Sequence, residues 1–324
     1  MEQEKKKLDI RKLISDNSAL VSFLALLIFA IIIKGSTFLD PNNILNILRN
    51  NSVIGIASLG MTLVIITAGI DLAVGSQLAL LGIIVIVVLN STQSILAGVG
   101  VGLLAAVIFG LLTGEAVARF RIPAFIVTLG TMSIYRSIAQ FWFNGGGVTA
   151  QGDAGASYIK ISNTELFGFI PMPIIIWAIC CVVIFFFTNH TATGRHIYAV
   201  GSNEKAAKLS GVNVNKILVI TYIIAGALVM VAAVTETSRL GSVNSASSGT
   251  GYEMDAIAAA VIGGTSMAGG KGTVVGTVFG TLTLGIIDNL MNLVGVNPFL
   301  VSAVKGAIII VAVLLQRVLN IKEN

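Results

Sequence analysis

Few side chains in this sequence are placed to do chemistry, and Asp71 is the most conspicuous. It stands in Ile66-Thr-Ala-Gly-Ile-Asp-Leu-Ala-Val-Gly-Ser-Gln77, between apolar runs at 52–67 and 78–89 that read as membrane-spanning. A carboxylate at that depth costs ~2.5–3.5 kcal/mol or more unless it faces protein, water or a partner charge. Gly69 and Gly75 flank it, which predicts a broken or bent helix. Backbone groups freed by a break are tolerated in a membrane only where protein buries them or a wet cavity solvates them. Gly69, Asp71, Gly75 and Ser76 therefore either line a path or satisfy the bend, and the bend takes precedence because its polar groups must be answered. Asp288 and Arg136, each inside a predicted span, read as interior polar contacts for the same reason.

The other reactive types form no constellation. His190 and His196 lack companion ligands at metal-binding spacing. Cys180 and Cys181 are adjacent, a poor arrangement for a relaxed disulfide. Glu115 and Arg119, four residues apart, read as an ordinary helical ion pair. The run Gly263-Gly-Thr-Ser-Met-Ala-Gly-Gly-Lys-Gly-Thr273 superficially resembles a phosphate-cradling loop. That pattern needs Gly six residues before the lysine and Ser or Thr directly after it, and here those places hold Thr265 and Gly272. Gly263, Gly264, Gly269 and Gly270 read instead as a break or a close helix contact. No paired carboxylates, His/Cys cluster or Ser/His pair stands at the membrane face, so an enzyme is the weakest class.

The elements that must position these residues are membrane helices. Of 324 residues, 55% are hydrophobic and 11% charged, with mean hydropathy +0.93, whereas a soluble domain carries about 25% charge. Ten apolar runs approach the length of a bilayer crossing: 18–34, 52–70, 72–90, 96–118, 124–142, 172–188, 217–236, 254–270, 273–292 and 299–317. The basic amino terminus before the first run resembles a signal peptide but lacks a small-residue cleavage site, so the run is read as a retained span. Most of the 20 basic residues fall on the amino-terminal side, among them Lys5, Arg11, Arg119, Arg121, Arg195, Lys205, Lys216 and Lys322. The fold expected is an all-α polytopic membrane protein of about ten transmembrane helices, some broken or re-entrant, with both termini cytoplasmic. The net charge of +5 is a topology signal, since no aromatics interleave the basic residues as nucleic-acid binding would want. Residues 1–17 and 319–324 are then cytoplasmic ends and 18–318 one transmembrane domain. The polar stretches 143–171 and 237–253 fall outside, as connectors or as a docking rim.

Residues 189–216 form the one sizeable cytoplasmic loop. Ser202 or Asn203 can cap a helix whose first turn carries Glu204, Lys208 lies four residues on, and Gly211 can stop it. Two turns are too short to be stable alone in water, so the helix makes sense docked on a cytoplasmic partner.

Three stretches together carry a specific resemblance: Ile66–Gln77, Gly194–Gly211 with its Glu-Lys-Ala-Ala-x-x-x-Gly core, and Gly251–Gly272 beginning Gly-Tyr-Glu-Met-Asp-Ala-Ile-Ala-Ala. In order and spacing, from about 36 to 318, the chain resembles the ribose/galactose/xylose-type permeases of bacterial ABC importers. Ala68 and Ala73 stand where Gly and Ser are common, and Lys205 departs from a two-alanine pattern of other importer classes. The resemblance implies a bacterial inner-membrane homodimer, embedded in lipid, that forms a channel fed by an extracytoplasmic sugar-binding protein. It also implies cytoplasmic ATPase subunits that bind ATP and Mg, this chain carrying no cofactor of its own and binding no nucleic acid. Glu204, Ala206, Ala207 and Gly211, with Arg195 beside them, would belong to the coupling segment on the ATPase. A ribose-like monosaccharide is favoured by the resemblance alone. The rival class is a secondary transporter in which Asp71 and Asp288 carry a coupling proton or ion, because such carriers also use broken helices.

Overall fold

The computed structural model describes residues 18–297, 300, 301, 303–307 and 310. The terminal segments 1–17 and 319–324, and most of the predicted span 299–317, lie outside the described residues. Twelve helices are labelled here in chain order: α1 Ser18–Phe38, α2 Pro41–Ile66, α3 Val74–Thr92, α4 Ile95–Ala118, α5 Ala124–Phe143, α6 Gly152–Asn163, α7 Met172–His190, α8 Ala192–Ser202, α9 Glu204–Leu209, α10 Val214–Leu240, α11 Tyr252–Ile262 and α12 Val274–Val294. Residues 300–310 that are described are also helical. Seven of the described helices, α1, α2, α3, α4, α7, α10 and α12, are long and apolar enough to cross a membrane.

Where sequence periodicity ran continuously, helix and expectation coincide, but the breaks are sharper than the pattern suggested. The run 254–270 is not one span. Its helix, α11, ends at Ile262 after 11 residues, and Gly264, Gly269 and Gly270 adopt positive φ in the turns that follow. Only glycine takes that conformation without a steric penalty. The first span is bent at Gly35, where φ is +50°. The polar stretches 143–171 and 237–253 are neither loose connectors nor separate. Residues 147–149 (β1) and 242–244 (β4) pair antiparallel, Gly147 opposite Asn244, and a hairpin joins β2 Glu165–Leu166 to β3 Ile170–Pro171. Between β1 and β2, α6 lies against α10, Ser162 donating from its hydroxyl to the Thr235 carbonyl at 2.9 Å and Tyr158 sharing a hydrogen bond with Thr237.

The centre of the molecule is α2, α3 and α10, with α11 and α12 also packed on α2. The core between them is Ile, Leu, Val and Ala with buried hydroxyls. Those hydroxyls are satisfied by the helix carbonyl four residues back, as at Thr62 and Thr221. Such back-bonding answers the polar group locally, so it can sit inside an apolar layer. Thr62 and Thr277 also share a hydrogen bond of 2.6 Å between α2 and α12. The most extensive helix contact is α4 against α10, and it is close. A Cβ on Gly110 would stand 2.7 Å from Ile223 Cα, and one on Gly114 2.8 Å from Val219 Cα.

That seam yields a prediction. Gly110→Val should force α4 and α10 apart at an overpacking cost of about 1–3 kcal/mol. Thermal unfolding of the detergent-solubilised chain should show a lower midpoint than the parent, and an unchanged midpoint would contradict the close approach.

Candidate functional site

The end of α2 shows how a helix can stop inside a membrane protein without leaving orphaned carbonyls. A helix terminus leaves its last four C=O groups without intrahelical partners. Here Leu63 accepts from Thr67 N–H. Val64 accepts from Thr67 and Gly69 N–H and from the Thr67 hydroxyl, and Ile65 accepts from Ala68 N–H. Ala68 pays for the tight turn with φ +61°, an uncommon conformation for a residue with a side chain. The fourth carbonyl, Ile66, points out of the turn and accepts the Gly270 N–H at 2.9 Å from the glycine-rich loop between α11 and α12.

Asp71 belongs to this bend rather than to an open path. It is 5% exposed, and its Oδ1 accepts the Ala73 N–H at 2.9 Å, the Asx-turn geometry that leads the chain into α3. Among the described residues no cation pairs with it. Gly69, Gly75 and Ser76 are buried as well, Ser76 donating its hydroxyl to Ala73 O at 3.0 Å. Gly69 lies beneath the Tyr222 hydroxyl of α10, and Thr128 of α5 donates to the Ile70 carbonyl at 3.1 Å, tying the break to two further helices. Gly75, at the start of α3, meets Gly249 in the segment leading into α11. A side chain at either glycine would collide with the other's carbonyl, and one at Gly75 would also reach the Glu253 carboxylate at 2.7 Å. Arg136 of α5 holds that same segment through the carbonyls of Ser245 (3.0 Å) and Ala246 (3.3 Å). It does not meet Asp288. Asp288 accepts an ion pair from Lys305 at 2.9 Å, and Lys305 also reaches Asp255 at 3.2 Å.

The loop 189–216 is built from caps. Thr191 accepts from Gly194 N–H at 3.0 Å and starts α8, Asn203 accepts from Ala206 N–H at 2.9 Å and starts α9, and Asn213 accepts from Lys216 N–H at 3.1 Å and starts α10. Gly211 ends the α9 turn with φ +84°. Of α9 only Ala207 is buried, while Glu204, Lys205, Ala206 and Lys208 stand in the open. The expected Glu204–Lys208 ion pair does not form among the described residues, both side chains being extended into solvent. Arg195 is exposed on α8, apart from the α9 knob. The residue sequence reading passed over is Leu209, 90% exposed at the tip. Its large apolar side chain in a short stretch carrying Glu204, Lys205 and Lys208 was the available signal.

The structure brings together three stretches that are distant in sequence. Beside the Ile66 carbonyl stands not only Gly270 but Gly201 of α8, where a Cβ would collide with that same oxygen. Gly269 lies against Gly201 O, Gly270 against Ser202, and Tyr198 donates its hydroxyl to Gly272 O at 2.9 Å. Burial pushes the Tyr198 phenol above its ordinary range, so it remains a neutral donor. Gly263 and Gly264 do a different job: Gly263 faces Gly276 across the α11–α12 contact, while Gly264 turns the chain at φ +87°. The glycine loop thus wraps a helix end. Its Gly270 N–H goes to a protein carbonyl, and Lys271 is exposed. No group of three or more His, Cys, Asp or Glu side chains that could hold a metal occurs among the described residues.

Comparison with known proteins agrees along nearly the whole chain. The family model described as branched-chain amino acid transport system / permease component matches residues 43–313. The ribose import permease protein of Escherichia coli (strain K12) is 41% identical over 305 residues, 91% of this chain and 92% of that protein. The ribose import permease protein of Bacillus subtilis (strain 168) is 38% identical over 298 residues, covering 91% of each. The xylose transport system permease protein of Haemophilus influenzae is 33% identical over 356 residues, 91% of this chain and 94% of that protein. No solved structure matches the chain.

The geometry at Asp71 makes a prediction that separates its two roles. Asp71→Ala leaves the Ala73 N–H buried without its acceptor, a cost of about 1–3 kcal/mol. Asp71→Asn keeps an oxygen in the accepting position and should lose less. Membrane abundance and thermal midpoint measured for both variants will show it, and an Asn variant as damaged as the Ala variant would mean that the charge itself is needed.

Proposed function

The chain belongs to the branched-chain amino acid transport system / permease component family, and we propose that within it this protein is the membrane subunit of a binding-protein-dependent ABC importer for a monosaccharide, with a ribose-like sugar favoured. It is a multi-pass protein of the bacterial inner membrane. The observation that carries the substrate class is the full-length similarity to permeases named for ribose and xylose. The hexose galactose and the sugar D-allose appear in the names of further relatives, so the class is firmer than the individual sugar.

In this reading the chain crosses the membrane about ten times with both termini cytoplasmic. The spanning domain covers 18–318, and 1–17 and 319–324 are short cytoplasmic ends. The loop 189–216 faces the cytoplasm, and α9 is the knob that two ATPase subunits grip, one on each copy of a homodimer. ATP and Mg are bound by those partners, and this chain is a non-catalytic conduit. Its shape supports that role: α9 is capped at both ends, is anchored to the body through Ala207 and offers Glu204, Lys205, Ala206, Lys208 and Leu209 to whatever docks. An exposed leucine amid charges fits an apolar pocket with a polar rim, the usual anatomy of a protein interface. ATP-driven closure of the partners would shift the populations of inward- and outward-open states. A sugar delivered by a binding protein is neutral, so it crosses a largely apolar, hydroxyl-lined path without a charged ligand.

The ion-coupled alternative draws little from the geometry. Asp288 shares the Lys305 ammonium with Asp255, and Asp71 accepts the Ala73 N–H, so each carboxylate already has a structural partner.

The test is reconstitution. Vesicles holding this chain with its ATPase and sugar-loaded binding protein should take up labelled ribose only when ATP is present, and solute accumulation by the purified chain alone would overturn the proposal. Glu204→Lys and Leu209→Asp alter exposed side chains, where substitutions change stability by only about ±0.5 kcal/mol. Both should leave the fold intact while weakening ATPase copurification and uptake, and ATPase retention and uptake equal to the parent would remove α9 as the docking knob.

A further inference from the structure

We infer that the contact of Ile66 with Gly201 and Gly270 is a mechanical joint, through which displacement of α9 reaches both helix breaks at once. This rests on the proposed docking of α9 on an ATPase but concerns what lies behind it. A coupling knob moves nothing unless something stiff connects it to the spanning helices. In this chain α9 begins two residues after Ser202, and the intervening Asn203 caps it. Tyr198, Gly201 and Ser202, the last turn of α8, are pressed directly on two other segments.

Three features make the contact stiff. The first is covalent economy: α8 leads into α9 through a single residue, so the two short helices move as a unit. The second is polar. The Ile66 carbonyl cannot bond within its own helix because the chain breaks there, and the Gly270 N–H supplies its partner. The Tyr198 hydroxyl binds Gly272 O on the same loop. A buried polar group that loses its partner costs about 1–3 kcal/mol, so the fully buried Ile66 carbonyl resists sliding off Gly270, and the half-buried Tyr198 bond adds to it. The third is steric. Backbone meets backbone with no side chain between: a Cβ on Gly201 would collide with Ile66 O and come within 2.8 Å of Gly270 N, and one on Gly269 would be 2.7 Å from Gly201 O and 3.0 Å from Ala68 Cβ. Side chains can yield by changing rotamer, whereas peptide groups in van der Waals contact transmit a push directly.

Both segments receiving that push are places where a helix is interrupted. Ile66 ends α2 just before the Ala68–Ala73 bend, and Gly269–Gly272 runs from the turn after α11 into α12. The same two regions meet again beyond the bend, where Gly75 packs on Gly249 ahead of α11. A rotation of α8–α9 is therefore applied to one side of a pair of breaks that are hinged together on the other. Tyr198, Gly201, Gly269 and Gly270 are positioning residues for transport, acting through the broken helices rather than by touching solute.

Gly201 offers the cleanest test. It sits in a helix without positive φ, so alanine there carries no backbone penalty and favours the helix, and only the contact suffers. Two measurements on the full chain are needed. In lipid nanodiscs, amide hydrogen exchange of Gly201→Ala should rise at 63–69 and 265–272 together; faster exchange confined to the α8–α9 loop would overturn the joint. In proteoliposomes with the ATPase and loaded binding protein, Gly201→Ala should keep ATPase copurification and basal hydrolysis. Sugar transported per ATP should fall about tenfold, the scale of one lost buried hydrogen bond. Tyr198→Phe, which removes one hydroxyl and changes no backbone, should give a smaller fall in the same ratio. A parental transport ratio in both variants would sink the inference. Failure of the parent chain to copurify any ATPase would instead sink the functional reading, and the exchange measurement would still decide whether the three segments move as one.

Discussion

The carbonyl oxygen of Ile66 is the point on which the structure turns. A helix whose last turn is buried in the protein must find partners for its final carbonyls there, since no solvent reaches them. Three are answered by the turn itself and the fourth by Gly270, from a loop that follows another interrupted helix. That single requirement draws the two halves of the chain together at their weakest backbone. It also makes room, through Gly201, for the loop between α7 and α10 to sit against both. An arrangement that closes an energetic gap thereby places an exposed, capped helix within two residues of it.

The charges inside the apolar body obey the same logic. Asp288 and Asp255 converge on Lys305, Arg136 is held by two carbonyls, and Arg239 donates to Asn50 at 2.7 Å. Each would be costly against lipid, and each instead ties one segment of the chain to another. Asp71 is held differently, because its partner is a backbone N–H two residues on, and so its role is conformational. Hydroxyls in the helices are handled more cheaply still, by bonding back along their own helix. The polar content of the interior is thus mostly scaffolding, consistent with a conduit for a neutral solute.

Glycine does two distinct jobs. In α4 and α12 it lets helices approach until backbone touches backbone, which in a membrane replaces the hydrophobic effect as the source of helix association. At 264, 269 and 270 it supplies positive φ for turns that no other residue would take without strain. Both jobs appear within ten residues of one another in the segment from Gly263, which is why that stretch imitates a nucleotide loop in sequence while serving as packing.

The sequence by itself determined what depends on local pattern. Seven of the ten apolar runs gave helices long and apolar enough to cross a membrane, Ser202 or Asn203 with Gly211 bracketed α9, and Gly69 with Gly75 marked the break around Asp71. It also carried the family, through three motifs spread along the chain. What it could not contain was which motif touches which. The pairing of β1 with β4, the meeting of Asp288 with Lys305, and the convergence of Ile66, Gly201 and Gly270 all join residues far apart in the chain. Nothing in the periodicity of one helix specifies the face it turns to another. The run 254–270 shows the same limit from the other side, since hydropathy counts its glycines as apolar while their backbone ends the helix at Ile262. Hydrophobicity and capping act within a few residues and can be read along a line. Close approach and the rescue of an orphaned carbonyl exist only once the chain has folded back on itself, so tertiary structure alone decided them.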